Sequence, residues 1–166
     1  MSGTSNGELV RWSFERLNEH DIDALRPYWT TETVERFPDR TCRGADEIAD
    51  YFEAMIRAVE NWHLRIVALV EDGPEVFARW HLTGVHRGEL MGIAPTGREL
   101  SVDGVDHFTI RAGVIVSNFV ISDQLAVARQ LGMLPEDGSA PDRVLKRAFN
   151  VRTRLSPKLR LSRGRK

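Results

Sequence analysis

Residues Trp80 to Gly132 read WHLTGVHRGELMGIAPTGRELSVDGVDHFTIRAGVIVSNFVISDQLAVARQLG, a succession of strand-like runs and turns that ends in a short helix. Glu99 to Arg111 and Val114 to Ser122 are long runs rich in β-branched and aromatic residues, meeting across Ala112-Gly113 as a hairpin does. Between them and the preceding strand-like run, Gly92-Ile93-Ala94-Pro95-Thr96-Gly97 is a turn that combines a rigid proline with glycines free to take positive φ. It carries shape rather than catalysis. The last apolar strand ends on Ser122-Asp123, just ahead of a short helix that Gly132 can close. A carboxylate at the end of an apolar strand is costly unless water, a partner or a task keeps it there, so Asp123 is the first candidate functional residue. It equally suits the N-cap of the helix QLAVARQLG.

Upstream of Trp80, the alternation continues. WHLRIVALVED and EVFARWHLTGVH flank the turn Asp72-Gly73-Pro74 and predict an antiparallel pair. Before Asn61 the period changes from 2 to 3.6. Ile48, Phe52, Met55, Ile56 and Val59 recur at helical spacing after Gly44, with acids in the first turn. Leu9, Val10, Phe14 and Leu17 mark an amphipathic helix over Asn6 to Asn18, and Asp21 to Leu25 starts a second, short one near Pro27. Trp29, Val34 and Phe37 continue the apolar lining up to Pro38. Helices first and a meander of strands afterwards predict an α+β fold, with N-terminal helices packed on the concave face of a curved, mostly antiparallel sheet that encloses a cone-shaped pocket.

The chain has 166 residues with 42% hydrophobic and 28% charged, which fits one soluble domain, assigned to 1–135, followed by a tail over 136–166. The net charge of -1 hides an asymmetry: Arg143 to Lys166 contains ten Lys or Arg and no acid. The tail is read as a short basic helix, DRVLKRAFNV, followed by a disordered terminus RTRLSPKLRLSRGRK. With one aromatic and no recognised module in the tail, nucleic acid is not the expected partner, although the basic charge leaves it open. The first twenty residues lack the apolar segment of a signal peptide and no run is long enough to span a bilayer, so a cytoplasmic enzyme or binder is expected. Cys42 is the only cysteine, which excludes an intramolecular disulfide and any cysteine-based zinc site. His81 and His86 would face opposite sides of a regular strand, and no P-loop, dinucleotide fingerprint or G-x-S-x-G elbow is present. No metal or cofactor is expected.

GVHRGELMGIAPTGRE is similar to G-T-H-x-G-x-x-x-G-x-P-P-T-G-R, with Gly84, His86, Gly88, Gly92, Pro95, Thr96, Gly97 and Arg98 all matching. Together with Gly44, Gly113 and the Asp123 helix ending in RQLG, these residues resemble the SnoaL-like polyketide cyclases of the nuclear transport factor 2-like superfamily, over roughly Gly7 to Pro135. The resemblance implies an apolar pocket, a homodimer formed through the outer face of the sheet, and an apolar carbonyl-containing small molecule as ligand. It also implies that the aspartate ten residues past the hairpin glycine, here Asp123, is the acid/base group of an intramolecular aldol closure of a polyketide-like ester. The sequence departs from the usual G-K-I-V-E-H-W, with Ser117, Asn118 and Phe119 in place of Glu, His and Trp. The alternatives are a non-catalytic small-molecule binder, or an isomerase or epoxide hydrolase; the hydrolase needs an inward arginine, for which Arg79 and Arg111 are the strand candidates.

Proton abstraction beside a carbonyl needs a carboxylate made more basic by desolvation, and for Asp123 the residues to supply it are Phe119, Ile121 and Val102. Hairpin register decides what shares its pocket, because a one-residue slip reverses the faces. With Thr109 opposite Ile115, then His107, Thr109, Ser117, Phe119, Ile121 and Asp123 face one way; in the tighter alternative Asp106 and Phe108 join Asp123 and His107 turns out. The first is favoured because the resemblance places polar pocket groups at positions matching His107 and Thr109, which makes His107 a donor or relay. His86 matches a family residue that touches ligand or holds the loop. Tyr51, Phe52 and Met55 lie on the helix expected to cover the pocket mouth.

Overall fold

A computed structural model of the chain describes residues 5–155. Helix α1 spans Asn6–Asn18 and starts with a capping box: Ser5 Oγ accepts from the Glu8 N–H at 3.1 Å, and the Glu8 carboxylate accepts from the Ser5 N–H at 2.8 Å. Its buried stripe is Leu9, Val10, Phe14 and Leu17, each side chain stabilising the fold by about 1.5–3 kcal/mol through burial. A short helix α2, Ile22–Leu25, runs into a 3-10 turn over Arg26–Tyr28 containing Pro27. Helix α3 follows over Gly44–Ala58. Four long strands then run in sequence, β3 over Val59–Asp72, β4 over Glu75–His86, β5 over Glu99–Arg111 and β6 over Val114–Ser122. Helix α4 covers Gln124–Gln130 and helix α5 covers Ala140–Leu155.

Two strands precede α3 that the apolar pattern did not mark, β1 over Trp29–Arg36 and β2 over Thr41–Arg43. The inward face of β1 carries Trp29, Thr33 and Glu35, so two of its three buried positions are polar and the usual alternation is absent. Strand β1 pairs with β6 in parallel, while the other neighbours are antiparallel, giving the order β2-β1-β6-β5-β4-β3.

The curved sheet folded into a cone, expected from the sequence, is therefore corrected. The sheet is open and mixed, with β2 and β3 as its two edges, and does not close on itself. The physical source of the difference is β1: read as lining between helices, it instead extends the sheet beyond β6 through a parallel ladder. The packing of N-terminal helices on one face holds. Helix α1 lies on β3 and β4, helix α3 on β1, β2 and β3, and the core forms between them and the sheet.

The expected short basic helix in the tail is the first part of α5. The expected disorder of the terminus concerns residues 156–166, which lie outside the described residues. Among the described residues no helix is long and apolar enough to cross a membrane.

Candidate active site

The register of the central hairpin fixes which side chains can meet a ligand. Thr109 pairs with Ser117 and His107 with Phe119, and an irregularity follows at once, so that Ile110 pairs with Ile115. The bulge adds one residue to β6 and thereby lets Ile115 and Asn118 both point into the core. His107, Thr109, Ser117 and Phe119 do share a face, but it is the face turned away from the core. The inner face carries Val102, Asp106 and Phe108 on β5 and Asn118 on β6, all buried.

Against this inner face lies a cavity of about 110 Å³. Its walls are almost entirely apolar, with Trp62, Trp80 and Val102 from the sheet facing Phe14 and Phe52 from the helices. Asp106 is the one ionisable carboxyl in the lining, where Ser122 and Gln124 are the other polar groups near α4. Its Oδ1 accepts from the Trp80 Nε1–H at 2.8 Å and its Oδ2 from the Asn118 Nδ2–H at 3.4 Å. Burial raises the Asp106 carboxyl from 3.8 to about 7, with the Trp80 and Asn118 hydrogen bonds pulling the other way. A carboxyl in this range can take up and return a proton near neutral pH. Gly104 makes the arrangement sterically possible, because a Cβ there would sit 2.1 Å from the Trp80 ring.

Behind Asp106 is a second buried carboxyl. Glu35 on β1 is 1% exposed, and accepts from the Trp29 Nε1–H at 2.8 Å and from the Asn118 Nδ2–H at 3.3 Å. Burial first, and the charge of Asp106 second, raise it from 4.5 to about 8. Trp62 on the cavity wall has an indole Nε1–H that is buried without a partner among the described residues.

The residues singled out from the sequence divide between the two faces. Tyr51, Phe52 and Met55 line the cavity, and the Tyr51 hydroxyl donates to Asp39 at 2.9 Å. Burial, with Asp39 adding to it, pushes the Tyr51 phenol above its ordinary value. Asp123 is exposed and caps α4, its Oδ1 accepting from the Ala126 N–H at 2.8 Å. It is not among the lining residues, although its neighbours Ser122 and Gln124 are. Phe119 and Ile121 are 47% and 57% exposed, too open to desolvate any carboxylate. His107 stacks on Phe77 at 4.1 Å, and its Nε2 lies 2.8 Å from Glu75, which also accepts from Thr109 at 2.9 Å. Those contacts, Thr109 first and His107 second, hold the Glu75 carboxyl below its usual value. His86 is fully buried and secures the glycine-proline loop, its Nδ1 accepting from the Thr96 N–H at 3.2 Å. Arg79 and Arg111 are exposed, and among the described residues no arginine lines the cavity.

Sequence reasoning raised Asp106 only as part of the tighter register and did not mark Glu35 at all. A buried acid has no periodic signature of its own; the signal for Asp106 was its phase with Val102, Phe108 and Ile110 along β5.

Among the described residues, no group of acidic, histidine or cysteine side chains is arranged to hold a metal ion. A family model described as SnoaL-like polyketide cyclase matches residues 7–131. Aklanonic acid methyl ester cyclase DauD from Streptomyces sp. (strain C5) is 31% identical over 131 residues, which cover 75% of this chain and 80% of that protein. Among solved structures, TsrD from Streptomyces laurentii superposes with a TM-score of 0.72 at 28% identity, covering 81% of this chain and 99% of that one. Wild-type IdmH from Streptomyces antibioticus shares the fold, with a TM-score of 0.64 at 23% identity over 74% of this chain and 95% of that one.

Proposed function

Because the chain belongs to the SnoaL-like polyketide cyclase family of the nuclear transport factor 2-like superfamily, we propose that it closes a ring in a polyketide-like ester by an intramolecular aldol step, without a cofactor, and that Asp106 is the general acid/base. The observation that carries this reading is the position of Asp106: a carboxyl raised to about 7, set in the wall of an otherwise apolar cavity. The exposed Asp123, engaged by a helix N–H, lacks the desolvation that the chemistry requires.

The Asp106 carboxylate removes a proton from a carbon flanked by carbonyls, giving an enolate and a neutral Asp106. The enolate carbon attacks a second carbonyl of the same molecule, forming the carbon-carbon bond and an alkoxide. Asp106 then returns its proton to that oxygen. Trp62 Nε1–H, buried and unpartnered, is the donor assigned to the developing enolate oxygen. The apolar walls supply shape and exclude water from the reacting carbon.

A homodimer through the outer face of the sheet completes the proposal. Phe77, Phe119 and Ile121 are exposed there at 45%, 47% and 57%, and cover by a second copy would remove them from water.

The test uses the purified full chain with aklanonic acid methyl ester, the compound in the name of the DauD relative, and with simpler aromatic 1,3-dicarbonyl methyl esters. Ring closure by the wild type and its loss in Asp106→Asn, with an unchanged far-ultraviolet circular dichroism spectrum, is the expected result. Ligand bound and recovered unaltered across the panel would instead identify a binding protein.

A further inference from the structure

Glu35 has no evident structural reason to be an acid. Its two hydrogen-bonded neighbours, the Trp29 indole and the Asn118 amide, need only an acceptor, which a glutamine would supply without burying an ionisable group. The charged group that bears on it is another acid, Asp106, and among the described residues no cation offsets the pair. On the neighbouring edge of the sheet, Cys42 in β2 feels the charge of Glu35 and is itself buried and neutral in character, its thiol raised first by burial.

The link between the two acids is one side chain. Asn118 Nδ2 lies 3.3 Å from Glu35 Oε2 and 3.4 Å from Asp106 Oδ2, so a single amide group bridges them. The Asn118 Oδ1 is buried and has no donor among the described residues, although two carboxyl groups adjoin the same amide. That acceptor is satisfied once either carboxyl carries a proton and the amide turns its oxygen toward it. Glu35, Asp106 and Asn118 also line a common inner cavity of about 20 Å³, enough for roughly one water molecule. Asp106 alone of the three also lines the apolar cavity of about 110 Å³, so any ligand there meets Glu35 only through Asp106.

We propose that Glu35 is a positioning residue of the site, sharing one proton with Asp106 through Asn118 and thereby setting the basicity of Asp106. The inference rests on Asp106 being the acid/base group. At rest the pair holds one proton and one negative charge. Asp106 takes the substrate proton, so both acids are neutral while the enolate carries the charge, and Asp106 gives the proton back to the alkoxide. Two ionised carboxylates never face each other across Asn118 during the cycle, because like charges bridged by one amide in a buried site are strongly disfavoured.

The test is a titration of the full chain labelled with carbon-13 at the side-chain carboxyls of Asp and Glu, from about pH 4 to about pH 10. The Asp106 signal should titrate in two steps in the wild type. In Glu35→Gln it should collapse to one step, with the last proton leaving about one pH unit or more lower. The reciprocal variant Asp106→Asn should simplify and lower the Glu35 curve in the same way, and it decides the matter if Glu35→Gln does not fold. A single Asp106 step that Glu35→Gln leaves in place, or a Glu35 curve indifferent to Asp106→Asn, overturns the proposal. Coupled titration with full ring-closing activity in Asp106→Asn would sink the catalytic reading of Asp106 instead, and with it the purpose of the coupling.

Discussion

Asp106 and His107 adjoin on β5, and the pleat sends them to opposite sides of the sheet. Asp106 is 8% exposed, held by indole and amide donors, and raised to about 7. His107 is half-exposed, stacked on Phe77 and paired with a Glu75 whose carboxyl is lowered by its contacts. The same alternation therefore makes one face of the hairpin a place where protons are held tightly and the other an ordinary solvated ion-pair surface. What separates them is water: burial without a cation raises an acid, whereas exposed hydrogen bonds from Thr109 and His107 lower one. Asp123 lies with the outer group in being exposed, its carboxylate spent on a helix terminus.

The two faces of β5 should differ most in turnover. Asp106→Asn should lower ring-closing activity by about 10²–10⁴-fold, the range associated with a lost general acid/base, with substrate binding retained. Steady-state kinetics on the ester panel reads this, and an effect under about tenfold would put Asp106 among the merely structural acids.

The next largest effect is on stability and depends on pH. Glu35 and Asp106 have folded-state values of about 8 and about 7, above their ordinary 4.5 and 3.8. The folded protein therefore binds protons that the unfolded chain has released. Stability from this source is fully present below about pH 4 and declines as pH rises toward about 8, by an amount on the order of a few kcal/mol. Urea melts at intervals across that window should show the decline, and Glu35→Gln should flatten it. A wild type that gains stability between about pH 5 and about pH 8 would contradict the buried-acid picture.

A smaller effect is assigned to the unpartnered indole. Trp62→Phe keeps most of the wall and removes the N–H, so activity should fall by about tenfold while the pH dependence of the reaction keeps its shape. On the outer face, His107→Ala should leave turnover within about twofold. Asp123→Ala should cost about 1 kcal/mol of stability by removing a helix cap, with little change in activity.

Much of the fold was legible because most elements obey a simple period. Leu9, Val10, Phe14 and Leu17 announce α1, and Glu99 to Arg111 alternates cleanly enough to fix β5 end to end. The sheet's full extent was not legible, because β1 buries Thr33 and Glu35 where a strand ordinarily shows apolar residues. The site was half legible for a related reason. Phe52 and Met55 followed from the helical stripe and Tyr51 from its place on the same helix, but choosing between Asp106 and His107 rested on the hairpin register, and the bulge near Val116 lies in a run of apolar residues that gives no sign of it. The irregular residue sets which β6 side chains face inward, while the phase of β5 alone puts Asp106 inside and His107 outside.

In the proposed mechanism desolvation, not position beside a helix, makes the working base. Its most direct test is incorporation of solvent deuterium at the activated carbon of aklanonic acid methyl ester, followed by mass spectrometry for the wild type, Asp106→Asn and Asp123→Asn. Exchange abolished in Asp106→Asn and retained in Asp123→Asn is the predicted result. Exchange that survives in Asp106→Asn and disappears in a folded Asp123→Asn would contradict the account.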